Sequence, residues 1–456
     1  MNQTEQRRNE EYLITDAPLR ALAVFAVPMI LGSLFQQVYN MVDSIIVGRF
    51  VGQNALAAIG ASAALTAVFI CIAIGAGTGA SVIVSQRFGA RDYTAMKRAV
   101  RTSILFFLAL SIVLGLVGLV CSESIMRALH TPEEVMDMAV IYLKVYFAGF
   151  PFLFMYNILS YLYNAIGKSR YPLYFLIFSS ILNVFLDLYM VMTLRMGVFG
   201  AALATLIAQG ISAVLSFLFF VRMMRRYPGD GTMFSGRDLK QMLAYAIPSM
   251  IQQSTVSIGM MFVQSVVNDF GAEALAGFSA TARIENITSV VFLSVGNAGS
   301  PFTAQNLGAG RTKRIPEGYH AGLLLDAASS VVIFVVIVPF ARPLAGLFLG
   351  ADGTETAYRV AVDYMRWIGI FDFLLGAKMA TDGVLKGVGR MKIFMLANLC
   401  NLSIRVAVAM LCAPRFGIAF VWYAVPVGWL ANFLISHAAY RKLARELEAR
   451  AGAEVR

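Results

Sequence analysis

Apolar residues fill this chain in long runs separated by short polar turns. The runs fall at about 22–48, 55–84, 100–121, 136–164, 172–193 and 198–221, and again at about 241–265, 275–303, 318–340, 358–386, 391–413 and 417–438. Each can cross the hydrocarbon core of a bilayer as a helix, which takes about 20 residues. The pattern predicts an all-α polytopic membrane protein of twelve transmembrane helices. Six stand on each side of the polar stretch MMRRYPGDGTMFSGRDLK, Met223 to Lys240. The expected organisation is an N-terminal segment 1–18, a first lobe 19–222, a linker 223–240, a second lobe 241–440 and a tail 441–456.

The two halves repeat. FAVPMI around Pro28 answers YAIPSMI around Pro248, an offset of 220. GRFVGQNALAAIGAS answers NDFGAEALAGFSA, VSQRFGAR answers TAQNLGAG, and NAIGKSRYP answers LKGVGRMK, in the same order. Six helices is an even number, so both copies insert the same way up and the repeat is parallel. Two such bundles suit alternating access to a central cavity, and Pro28 is the candidate hinge of the first helix, since proline removes one backbone hydrogen bond there.

Composition agrees: 59% of residues are hydrophobic and 14% charged, against about 25% charged in soluble domains. Mean hydropathy is +0.71. The net charge of +11 would suggest nucleic acid in a soluble protein. Here the basic residues cluster in alternate loops, at Arg87 to Arg101, Lys168 and Arg170, Arg222 to Lys240, Arg311 to Arg314, Lys386 to Lys392 and Arg441 to Arg445. The other loops hold scattered ones such as Arg127, Arg195, Arg342 and Arg415. That asymmetry places both termini in the cytoplasm, and the expected location is the plasma (inner) membrane, with the bilayer and no nucleic acid as partner. The first 18 residues lack the apolar core of a cleaved signal peptide. Four cysteines and three histidines are scattered, with no metal or disulfide spacing. No nucleophile–base or HExxH arrangement points to an enzyme.

Polar groups inside the spans are the candidates for chemistry, because a charge at that depth costs roughly 2.5–3.5 kcal/mol on insertion scales. The first helix carries Gln36, Asn40 and Asp43 on one face, at i, i+4 and i+7. The fifth carries Asn183 and Asp187 four apart, and the sixth offers Thr205. Two carboxylates with an amide and a hydroxyl suit a hard monovalent cation or a proton, and the same oxygens serve both. Asn183 and Thr205 read alone are also ordinary interhelical hydrogen-bond partners. Asn157, Ser160 and Tyr161 on the fourth helix either line a cavity or join helices. Gln36, Tyr39, Asn40, Asn157, Tyr161 and Met260 make up a candidate substrate cavity. In the second half Glu285, Asp372, Lys378, Asp382 and Arg405 form a candidate polar cluster, in which Arg405 should pair with an acid, and Asp326 stands on the ninth helix. A structural ion pair and a gating role both fit it. Gly75, Gly77 and Gly79 follow no strand and serve close helix packing.

From residue 15 to 440 the chain resembles the multidrug and toxic compound extrusion (MATE) family. The resemblance rests on QQVYNMVDSIIVGRFVG, NALAAIGAS, SQRFGARD and RIENITSV with PFTAQNLGAGR. It implies two six-helix lobes in a V and export of organic compounds, cationic or amphiphilic, by antiport with protons or sodium. The chain is similar to the branch named for the DNA-damage-inducible F protein, whose first-lobe cation site matches Asp43, Asp187, Asn183 and Thr205. The other well-known branch places an acid eight residues after the seventh-helix proline, where this chain has Val256. Ser160 stands where the first-lobe network has an amide. No cofactor beyond the coupling ion is expected, and a monomer is the simplest assembly. The alternative in the same superfamily is a flippase for a lipid-linked saccharide or peptidoglycan precursor, whose pyrophosphate calls for several basic residues in the cavity; the first lobe has almost none.

Overall fold

A computed structural model describes residues 11–129, 131–230, 232–350 and 353–453. Most of the predicted N-terminal segment, and the last three residues of the tail, lie outside it. The described residues are helical and contain no strand. In the first half the helices are α1 (Pro18–Phe50), α2 (Gln53–Gly89), α3 (Tyr93–Ala128), α4 in two pieces (Glu133–Ala148 and Phe150–Ala165), α5 (Arg170–Asp187) and α6 (Gly197–Met224). In the second half they are α7 (Gly236–Asn268), α8 (Ala272–Gly308), α9 (Arg314–Leu349), α10 (Glu355–Gly387), α11 (Met391–Phe416) and α12 (Ala419–Ala453). A short helix, Tyr12–Thr15, precedes them.

Local chemistry sets the boundaries. Pro18 opens α1, where its missing N–H costs nothing. Asp92 caps α3 by accepting from the Ala95 N–H at 2.9 Å, and Thr354 caps α10 in the same way. α4 bends by 52° at Gly149, where Pro151 supplies no N–H to the preceding turn. α5 ends in a wider π-helical turn, Leu188–Thr193, directly after Asp187.

The repeat is also visible in the backbone of the turns. Positive φ angles at Gly52, Arg91, Gly167 and Gly197 are answered at Gly271, Gly310, Gly389 and Gly417. Those pairs are 219 to 222 residues apart, the offset of the sequence repeat. Arg91, at φ 56°, is the one non-glycine in this set, and it holds the left-handed conformation that glycine adopts more easily at Gly310.

Eight of the helices are long and apolar enough to cross a membrane, and the bent α4 makes a ninth. The three remaining long helices are α7, which carries Gln252, Gln253 and Gln264, α8, which carries Glu285, and α10, which buries Asp372, Lys378 and Asp382.

Two compact units emerge. One runs from Leu31 to Met250; the other joins the residues up to Ile30 to those from Ile251 onward. Both boundaries fall inside a helix, two residues beyond Pro28 in α1 and two beyond Pro248 in α7. Each unit therefore takes the opening piece of the other half's first helix, a division different from lobes cut at the 223–240 linker. The opening of α1 packs Leu22, Phe25 and Ala26 against Val295, Ala298 and Phe302 of α8. Asn306 donates to the Leu13 carbonyl at 3.0 Å, and Arg311 to that of Ile14 at 2.9 Å.

The opening of α7 is held in the other unit by a charge clamp. Arg87 grips Asp238 through both oxygens, at 2.6 and 2.9 Å, and Arg98 Nε adds a third bond at 2.9 Å. Burial would raise the Asp238 carboxyl, but these hydrogen bonds and charges outweigh it and hold its pKa down at about 2. The glycines of α2 serve contact: a Cβ at Gly75 would stand 2.4 Å from Met250, at Gly77 2.2 Å from the Tyr161 ring, and at Gly79 2.5 Å from the Met242 carbonyl.

Candidate functional site

Three helices of the 31–250 unit bring the intramembrane carboxylates together. α5 presents Asn183 and Asp187 one turn apart on the same face, buried to 2% and 0% exposure. α1 supplies Tyr39 and Asp43, four apart, and α6 supplies Thr205. The Asn183 amide ties the three. With the amide assigned in the orientation that gives donors and acceptors to both ends, its nitrogen lies 2.8 Å from Asp187 Oδ2 and 3.0 Å from the Tyr39 hydroxyl, and its oxygen lies 3.1 Å from the Thr205 backbone nitrogen and 3.2 Å from the Thr205 hydroxyl. Thr205 in turn bonds back to the Ala201 carbonyl at 3.1 Å. The Asp43 carboxyl interacts directly with Asp187. Asp187 Oδ1 is enclosed and receives no donor.

Two carboxyl groups in contact need something positive between them: one shared proton, or one cation held by oxygen ligands. The donors are carboxyl, amide and hydroxyl oxygens without nitrogen or sulfur ligands, a set that suits a monovalent ion or a proton better than a transition metal. The four cation-coupling residues expected from sequence thus converge, and Tyr39, expected in the substrate cavity, joins them. Tyr142 on α4 had not been singled out and lies within electrostatic reach of both carboxyls. Its ring stacks on Tyr146 at 6.5 Å and 14°. The signal was present: two tyrosines at i and i+4, on either side of Lys144 in the fourth span. Tyr142, Tyr146 and Thr205 border a cavity of about 20 Å³, enough for one water molecule, and the Tyr146 hydroxyl is buried with no protein partner.

The other candidates are more dispersed. Gln36 and Asn40 bond to each other at 3.0 Å on an exposed stretch of α1. Asn157 and Ser160 bond to backbone carbonyls of their own helix, Leu153 and Tyr156, at 2.9 Å each. Tyr161 packs on Gly77, as above, and Met260 is half-buried in the other unit.

The second-half cluster divides in two. Tyr364 donates to Glu285 at 2.5 Å, and Asp372 and Arg405 lie within electrostatic reach of that pair. Separately, Lys378 pairs with Asp382 at 3.3 Å, and Asp382 accepts from Asn398 and Ser436 at 3.1 Å each. The paired acid is therefore neutralised by its own helix and not by Arg405, which lies against Gly428 of α12. Asp326 is buried with neither oxygen hydrogen-bonded. The second half has no equivalent of the first-half site: 220 residues after Asp43 comes Val263, and after Thr205 comes Val425, both in an apolar core.

The MatE family model matches residues 28–189 and again 248–411. The chain belongs to the MatE family. The two matches begin 220 residues apart, the same offset as the repeat. The chain is 31% identical to the probable multidrug resistance protein YpnP of Bacillus subtilis, over 84% of this chain and 85% of that one. It is 24% identical to an FAD transporter of Shewanella oneidensis, over 74% and 75%. Among solved structures, a MOP superfamily transporter from Pyrococcus furiosus aligns with a TM-score of 0.89 at 24% identity, covering 96% of this chain and 98% of that one. An outward-facing multidrug resistance MATE transporter aligns at 0.87 and 23%, covering 96% and 99%. This MatE chain is a membrane transporter.

Proposed function

We propose that this MatE chain is a secondary active exporter of organic, cationic or amphiphilic compounds, driven by inward movement of sodium or protons. The observation that carries the reading is the contact of Asp43 with Asp187, tied by Asn183 to Tyr39 and Thr205. A site built of two carboxyls from different helices changes its charge when an ion binds, and so couples ion occupancy to helix position. An ion shifts that equilibrium only by its difference in affinity for the two conformations. Pro28 sits where α1 passes from one compact unit to the other, which suits a hinge. The names of the relatives support the cargo class: YpnP as a probable multidrug resistance protein, and the Staphylococcus aureus relative as the multidrug export protein MepA. The loop charges orient both termini to the cytoplasm of the plasma membrane, and a single chain without an organic cofactor suffices.

The test is uptake of a fluorescent cationic dye into everted vesicles under separately imposed sodium and proton gradients, wild type against Asp43→Asn. Each 100 mV of driving force acting on one coupled charge is worth about 2.3 kcal/mol, or about a fiftyfold dye gradient. Wild type should concentrate the dye under one of the gradients, and Asp43→Asn should only equilibrate it. Full gradient-driven accumulation by well-folded Asp43→Asn refutes the coupling role. No dye movement under either gradient refutes the cargo class and turns attention to a lipid-linked precursor.

A further inference from the structure

A second cavity lies in the 31–250 unit, far along α3 and α6 from the carboxylate pair, and its chemistry differs. It measures about 440 Å³, within the range of ligand pockets. Its inner wall is apolar, with Ile104 of α3 and Phe217 and Phe220 of α6. Its rim is basic, with Lys97 and Arg101 of α3 and Arg225 from the segment after α6; Asp230 is the one acid. Three positive charges against one negative leave an excess of two.

The rim is built rather than incidental. Lys97 is 8% exposed and donates to the carbonyls of Tyr227 and Gly229 at 2.7 and 2.8 Å. Thr102 accepts from the Ser235 N–H at 3.0 Å. These bonds hold Tyr227, Gly229 and Ser235 against α3 beside the cavity. α3 and α6 are both apolar enough to cross the bilayer, so the apolar wall continues into surface at lipid depth, including exposed Leu105.

We infer that this cavity binds one anionic phospholipid of the cytoplasmic leaflet, with its phosphate between Arg101 and Arg225 and the start of an acyl chain on Phe217 and Phe220. Guanidinium groups match phosphate oxygens in a bidentate fork, and basic pockets between helices on the cytoplasmic side recognise such head groups. The side of the membrane rests on the loop-charge orientation; the lipid chemistry does not. The occupied site would brace the segment that joins α6 to α7 and, through Asp238, the opening of α7.

The test uses the purified full-length protein and native mass spectrometry with phosphatidylglycerol, phosphatidylcholine, glycerol 3-phosphate and inorganic phosphate in turn. Wild type should retain phosphatidylglycerol over phosphatidylcholine by about tenfold or more and hold neither soluble phosphate. The double variant Arg101→Gln with Arg225→Gln should lose that preference, and Asp230→Asn, which removes the repelling charge without touching α3, should increase it. Equal retention of the two lipids overturns the inference. So does an unchanged preference in the double variant, or no gain in Asp230→Asn if the double variant fails to fold. Retention of inorganic phosphate as tightly as of the lipid would reduce the cavity to a plain anion site and also overturn it.

Discussion

Replacing Asn183 by leucine, nearly the same in volume, removes the one side chain that ties α1, α5 and α6 together at the carboxylate pair. The largest effect comes through Asp187, which loses the donor at 2.8 Å. A hydrogen bond to a charged group contributes about 1.5–3 kcal/mol, so ionising the Asp43–Asp187 pair becomes harder by that amount. The contacts to Tyr39 and Thr205 vanish in every state of ion occupancy; they lower stability and cancel from affinity. At about 1.4 kcal/mol per tenfold, the half-saturating ion concentration should move by about 10- to 150-fold. The direction reveals the ion. Sodium binds the ionised pair, so its apparent affinity at fixed pH must fall. A proton binds by neutralising the pair, so its affinity must rise and the transport profile must move to higher pH. The assay is dye transport in proteoliposomes across a series of sodium concentrations at constant pH, then across a pH series without sodium. A shift of less than twofold on both axes, in protein that elutes and melts like wild type, would refute the idea that Asn183 supports the ion site.

Two further outcomes follow from particular contacts. Tyr39→Phe removes a neutral hydrogen-bond partner 3.0 Å from the Asn183 amide, a loss of about 0.5–1.5 kcal/mol. Its shift in the same assay should be smaller than that of Asn183→Leu, and a larger one would mean that the tyrosine oxygen itself touches the ion. Asp238→Asn breaks the clamp on Arg87 and Arg98. Because the folded carboxyl is held down at about 2 against about 3.9 unfolded, its contribution is complete above about pH 4 and fades as pH falls toward 2. The variant should melt lower than wild type at pH 7, by about 1.5 kcal/mol of stability given that Arg98 is partly exposed. The gap should narrow below about pH 4 and close near pH 2; one that stayed open there would assign the loss to packing instead of charge.

The twelve spans, the parallel repeat and the location of the first-half site were legible because each has a local signature. Span length and hydropathy follow from bilayer thickness, the repeat from matched blocks at a constant offset, and Asp43 and Asp187 from the cost of placing a charge in lipid. Helical spacing alone put Asn183 and Asp187 on one face. Tyr142 and the role of Tyr39 were not legible, since tyrosine is common in apolar spans and becomes part of a site only through what faces it. The second-half cluster shows the same limit: Lys378 and Asp382, four apart on one helix, could have been paired from spacing, but Asp326 shows no such clue to its buried, unpartnered state. The 223–240 linker looked like the natural division of the chain. The compact units instead divide within α1 and α7, just beyond Pro28 and Pro248, because packing energy depends on which surfaces meet and not on where polar loops lie. Sequence determined the elements, their number and their buried charges, which are properties of one helix in lipid. Which helices exchange between units, and which oxygens meet around an ion, only the tertiary structure decided, because those contacts join residues of different helices that no local period relates.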